Sequence, residues 1–133
     1  MTFLKLDSAI RDLAKGVNFG TLSFMLPSGR IASHVMWVDA DDEHILINTD
    51  LGRIKYDSIK ANPSVTIAMW KADNPYAYAE VRGRCVAEVA GQEAHDHIDA
   101  CSIRYTGKPY QAPIQKGRVI LKIAVEKQRS QNL

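Results

Sequence analysis

Apolar residues recur at Leu4, Leu6, Ile10, Leu13 and Ala14, close to the period of an α-helix, with Asp7 or Ser8 placed to cap and Gly16 to stop it. The spacing predicts an amphipathic helix over residues 3–15. Beyond it the period drops to two. Residues 18–25 and 30–39 alternate as strands, and "LPSGR" between them holds Pro27 and Gly29, which favour a turn. This pair predicts a hairpin. After a turn at "DADDEH", the run "HILINT" sets Ile45 and Ile47 against Leu46 and Asn48 as a third strand.

Residues 53–61 read as a short helix stopped by Asn62-Pro63, and "SVTIAMW" has the β-branched, apolar make-up of a buried strand. In "YAYAEVRGRCVAEV" small residues alternate with large ones, which predicts a long strand with one thin face. Gly83 on that strand marks a bulge or a close approach by another backbone or a ligand. A second amphipathic helix fits residues 92–105, ended by Gly107 and Pro109. The last strand is "RVILKIAVEK", with Val119, Leu121, Ile123 and Val125 on one face and Lys122 and Glu126 on the other. Six strands, mostly in hairpin order, with three helices between and beside them predict a mainly β fold, an antiparallel barrel with helical additions. A barrel this short does not easily enclose a ligand alone, so a second subunit is expected to complete any site.

Composition narrows the class without changing the fold. The chain has 133 residues, 46% hydrophobic and 24% charged, with a formal net charge of +2, which fits one domain spanning residues 1–133 and gives no basis for bulk nucleic-acid binding. No apolar run approaches the roughly 18 residues of a membrane span, and the N-terminus lacks a cleavable signal pattern, so the expected place is the cytoplasm. Cys85 and Cys101 sit in no CxxC pair and are expected to stay reduced.

The chemistry is concentrated in "ILINTDLGRIKYDSIKANPSV", where Thr49, Gly52, Arg53 and Lys55 lie between a strand and a helix. A helix N-terminus offers unpaired N–H groups and the positive end of the dipole, and a hydroxyl with two cations makes phosphate its natural guest. Spacing alone leaves a second reading open, in which Arg53 and Lys55 are solvated helix charges and Thr49 is an ordinary strand residue.

The succession "PSGRIASHVMW", "ILINTDLGRIKYDSIKANPSVTI", "DNPYAYAEVRGR" and "IRYTGKPY" resembles the pyridoxamine 5′-phosphate oxidase-like split-barrel proteins. Within them it is similar to the short flavin/deazaflavin oxidoreductases that use coenzyme F420. The likeness covers residues 8–126. It implies a six-stranded antiparallel split β-barrel with flanking helices, assembled as a homodimer with two cofactor sites at the interface. It also implies that Thr49, Arg53 and Lys55 hold the cofactor phosphate and that Ser33, His34, Val35 and Trp37 contact the ring. Trp37 is equally readable as a core tryptophan. Relatives of the F420 type often carry prolines and a small hydroxyl in that second strand, where this chain has Ile31, His34 and Val35.

If a cofactor carries the reaction, the protein needs no nucleophile of its own. The resemblance implies hydride transfer from reduced F420 to an unsaturated organic small molecule, with Tyr76, Tyr78 and His34 as candidate proton donors. F420 carries an acidic tail for which Lys71, Arg82, Arg84 or Lys108 are candidate partners, each equally readable as a solvated surface charge. FMN is the alternative cofactor, because both molecules carry a tricyclic ring and a ribityl phosphate. A non-catalytic flavin or haem carrier is the competing class. Pyridoxamine phosphate oxidase proper fits less well, since its C-terminal arginine motif is not recognisable in "RVILKIAVEKQRSQNL". No metal is expected: on the helix at 92–105, His97 and Cys101 share a face, but that helix provides no third ligand.

Overall fold

The computed structural model describes residues 2–133. Its elements are α1 (Ser8–Lys15), β1 (Phe19–Met25), β2 (Ile31–Trp37), β3 (Asp39–Ala40), β4 (His44–Asp50), α2 (Ile54–Ala61), β5 (Ser64–Lys71), β6 (Asn74–Ala90), α3 (Gln92–Thr106) and β7 (Arg118–Gln131). The strands make one curled antiparallel sheet in the order β2-β1-β5-β6-β7-β4-β3. The fold is a split barrel with three flanking helices.

Period-two alternation builds the interior. Leu22 and Phe24 of β1 stand opposite Ile67 and Val65 of β5, and Ile45 and Ile47 of β4 stand opposite Ile123 and Leu121 of β7. All eight are buried. Burying each such side chain contributes roughly 1.5–3 kcal/mol, so the sheet curls to close over this face. On the outer side of β4 and β7 a smaller cluster of Leu46, Ile120 and Ala94 seats α3.

The first helix is shorter than its periodicity predicts. The Asp7 side chain caps it by accepting a hydrogen bond from the Ala9 N–H, and the Leu4 N–H donates to the Val125 carbonyl at 2.8 Å. Residues before Asp7 are therefore held extended against β7, and Leu6 is buried there as part of the barrel core.

The strand predicted over residues 30–39 is two strands, and the break between them creates the split. β2 pairs with β1, ending at Trp37 opposite Phe19, whereas Asp39 and Ala40 pair with Leu46 and Ile45 of β4 at the other end of the sheet. Through Val38, 1% exposed, the chain steps from one edge to the other. Alternation continues through this step while the pairing partner changes, which is why the sequence reads as one strand and the sheet has a seventh. Among the described residues no ladder joins β2 to β4, and the open seam between them holds a cavity lined by Met36 and Trp37 on one side and Leu46 and Asn48 on the other.

The longest pairing runs between β6 and β7, with bulges at Arg82/Gly83 and Cys85/Ala87. At Gly83 the strands come so close that a Cβ would lie 2.2 Å from the Ala124 carbonyl oxygen. Only glycine permits this approach. At the end of α3 Gly107 adopts φ 81°, the left-handed C-cap the sequence predicts.

Candidate functional site

The split brings the two predicted segments together. Met36 and Trp37 of β2 line one cavity with Leu46 and Asn48 of β4, and His34 of β2 feels the charges of Arg53 and Lys55 at the start of α2. Arg53 is the N-cap residue of α2 and makes no side-chain capping bond, so the first-turn N–H groups are not capped by its side chain. Lys55 is half-buried, and burial together with the charges of Arg53 and Arg118 lowers its pKa. Among the described residues neither Arg53 nor Lys55 enters an ion pair. Thr49 is 3% exposed and shares the inward face of β4 with Ile45 and Ile47. It is packed more deeply than the two cations.

Asp50 organises this turn. Its carboxylate accepts from the N–H of Gly52 at 2.8 Å, Gln115 at 3.0 Å and Lys116 at 3.3 Å, which ties the β4–α2 turn to the loop before β7. Burial raises the Asp50 pKa, and these three bonds outweigh it and bring the net shift below the ordinary value. Arg53, Gly52, Pro113 and Arg118 line a cavity of about 280 Å3 beside this turn.

The four predicted ring contacts divide between the two faces of β2. Ser33 and Val35 point outward with Thr21 and Ser23 of β1, where the Ser33 and Ser23 hydroxyls lie 2.8 Å apart and Val35 is 68% exposed. His34 points the other way, its ring edge-on to Phe24 at 5.1 Å. Burial, then the positive charges of Lys55 and Arg53, push its pKa below the ordinary value. His34 and the two cations therefore feel one another across the split. Trp37 stacks on Tyr105 with ring centroids 5.2 Å apart and 9° between planes, so it is anchored to α3 while lining a cavity. Tyr76 and Tyr78 lie on β6, separated from β2 by β1 and β5; within one chain the split keeps only His34 of the three proton-donor candidates. Arg82 pairs with Glu80 on its own strand, and Cys85 is a half-buried free thiol whose pKa burial raises.

A polar chain missed by sequence reasoning runs beneath α3. The Arg118 Nε donates to Asn48 Oδ1 at 2.8 Å, and the Asn48 amide donates to the Ala94 carbonyl and to His97 Nδ1, both at 2.9 Å. His97 Nε2 meets Asp39 at 2.9 Å, and Arg104 holds the other Asp39 oxygen at 3.1 Å. Asp39 thus adds a third potential metal donor to His97 and Cys101, all within 4.8 Å. The hydrogen-bonding around them opposes a metal. Asn48 has its oxygen fixed by the Arg118 donor and its nitrogen by the Ala94 acceptor, so His97 Nδ1 has to accept. A metal on Nε2 places a proton on Nδ1, against that amide. Burial lowers the His97 pKa, but the bonds to Asp39 and Cys101 and the charges of both outweigh it and raise it to about 9. Protonation also breaks the Asn48 bond, and the neutral Nε2–H tautomer satisfies every partner in place. The signal for Asn48 and Arg118 in the sequence was only their position: a polar residue within an apolar strand, and a cation opening one.

Comparisons with known proteins agree with this fold. A family model described as pyridoxamine 5′-phosphate oxidase matches residues 6–132. Among solved structures, one described as an F420 reductase superposes with a TM-score of 0.74 at 28% identity, covering 93% of this chain and 98% of that one. A conserved hypothetical protein from Mycobacterium tuberculosis gives 0.71 at 24%, covering 97% and 86%. A pyridoxamine 5′-phosphate oxidase-related, FMN-binding protein from Nostoc punctiforme gives 0.59 at 16%, covering 84% and 72%. No curated protein matches. With the sheet order, the split and this match along nearly its whole length, the chain belongs to the pyridoxamine 5′-phosphate oxidase family and has a split-barrel fold.

Proposed function

We propose that this protein is an oxidoreductase that binds coenzyme F420 and passes a hydride to an unsaturated organic small molecule. The observation that carries the reading is the pair of cations without carboxylate partners, Arg53 and Lys55, at the start of α2 beside an open seam. Two positive charges and a helix N-terminus suit a phosphate dianion, which would offset the burial and the like charges that disfavour the charged form of Lys55. Thr49, Arg53 and Lys55 are the proposed phosphate residues, and Ser33, His34, Val35 and Trp37 the proposed ring contacts. Bound in its reduced form, F420 supplies the hydride. The protein orients the ring against the acceptor, excludes water from the seam, and offers His34 as a proton carrier close to the cations.

The similarity to an F420 reductase favours the deazaflavin over FMN. FMN remains the second reading because Arg53 and Lys55 suit its phosphate equally well and one similar structure is described as FMN-binding. A homodimer fits the outer face of β2 and its neighbours, where Ile31 is 72% and Val35 68% exposed and Met25, Ile31 and Thr66 line a groove of about 490 Å3. A second copy would cover this apolar face and bring Ser33 and Val35, which point away from the barrel interior, into its site.

Turnover tests the reading. Reduced F420 is mixed anaerobically with the protein and a panel of enones and conjugated alkenes, and its reoxidation is followed by absorbance. The expected result is catalytic reoxidation that an Arg53→Ala, Lys55→Ala variant loses. Reduced F420 that binds yet persists with every acceptor would instead identify a carrier.

A further inference from the structure

Arg118 is 8% exposed and has no ion pair among the described residues. A guanidinium taken out of water with no carboxylate in direct contact is costly. Its Nε is satisfied by Asn48, but Nη1 lies 3.5 Å from the Tyr110 hydroxyl, too far for a strong bond, with the guanidinium carbon 5.0 Å from the Tyr110 ring centroid. Asp50 stands directly opposite on β4 and its charge favours the guanidinium, yet both its oxygens are engaged by backbone N–H groups and neither bonds to Arg118.

The buried charge faces a second cavity, about 260 Å3, between α3, β4 and the end of β2. Met36, Trp37, Leu46 and Ile98 form its apolar wall. Of its other polar side chains, Asn48 and His97 are engaged with each other, with Ala94 and with Asp39. His97 has Asp39 as its partner, so Arg118 is the one cation lining this cavity without a carboxylate contact among the described residues, and it has donors to spare. An apolar cleft with one convergent charged group is the usual form of a small-molecule site.

We propose that this cavity binds the anionic end of an organic acid with a flat apolar body, Arg118 holding the carboxylate and Trp37 packing against the body. That acid serves as the hydride acceptor only if the oxidoreductase reading above holds; the binding itself does not rest on it. An anion on Arg118 could equally come from the cofactor's phosphate, since Arg118 also borders the cavity beside Arg53, so the test separates the two.

Benzoate and neutral benzamide are titrated into cofactor-free protein while the arginine Nε–H and Trp37 indole resonances are followed by NMR. FMN and F420 affinities are measured in parallel on the wild type, Arg118→Gln and Arg118→Lys. The expected result is benzoate binding roughly tenfold or more tighter than benzamide. That preference is lost in Arg118→Gln and partly kept in Arg118→Lys, with cofactor affinity unchanged in both. Equal binding of benzoate and benzamide to the wild type overturns the proposal without recourse to any variant. Loss of cofactor affinity in a folded Arg118→Gln protein that still prefers benzoate also overturns it and assigns the guanidinium to the phosphate. Benzoate binding together with failure to bind either cofactor leaves the acid subsite standing and removes the oxidoreductase reading.

Discussion

Replacing Asp50 removes the knot that holds the start of α2 against the loop before β7. Oδ1 accepts from Gly52 and Lys116 and Oδ2 from Gln115. Alanine loses all three bonds, and asparagine keeps the two on Oδ1 while presenting an amide to the Gln115 N–H. A hydrogen bond to a charged acceptor contributes roughly 1.5–3 kcal/mol, and the bonds are not additive, so Asp50→Ala is expected to lose about 3 kcal/mol and Asp50→Asn about half of that. Because the folded-state pKa of Asp50 lies below the ordinary 3.8, its contribution is fully present above that value and is lost as pH falls through the folded pKa. The gap between wild type and Asp50→Asn should therefore be constant from neutral pH downward and narrow only under acid conditions below 3.8. Urea unfolding followed by circular dichroism at several pH values measures both. An Asp50→Ala protein within about 0.5 kcal/mol of wild type at neutral pH would refute the assignment.

Gly83→Ala forces a Cβ to within 2.2 Å of the Ala124 carbonyl oxygen; overpacking of this kind costs about 1–3 kcal/mol, and an unchanged melting temperature would contradict the observed strand spacing. The His34 ring should titrate below 6.5 in the cofactor-free protein and move upward once a phosphate neutralises Lys55 and Arg53, which an NMR pH titration with and without cofactor reads directly. Burial should leave part of the depression in place even then. Asp7→Ala removes the cap on α1 and should cost about 1 kcal/mol in denaturant unfolding, with cofactor affinity unaffected.

What was legible in the sequence follows physical range. Alternation in β1, β4 and β5 and the glycine stop of α3 are local signals, and they give those elements nearly to the residue. Gly83 announced the close approach of β6 and β7. The step at Val38 was hidden because Trp37, Val38 and Asp39 keep one alternation while changing partners, and β7 extends to Gln131 only because β6 is there to pair with it. At the site, the segment from Thr49 to Lys55 is contiguous and so could be read. Asp39 meets His97 across 58 residues and Arg118 meets Asn48 across 70, and no local pattern announces either contact. The separation of Ser33 and Val35 from His34 follows directly from the two-residue period of β2.

The central claim is that Arg53 and Lys55 hold a cofactor phosphate in the seam. It is tested most directly by equilibrium binding of F420 and FMN, side by side, to protein free of either, with the Arg53→Ala, Lys55→Ala variant as control. Tighter binding of F420 than of FMN, weakened roughly 100-fold or more in a variant that remains folded, is the expected result. Binding of either cofactor that survives the double substitution unchanged would contradict the phosphate site, and preference for FMN would transfer the same site to the flavin.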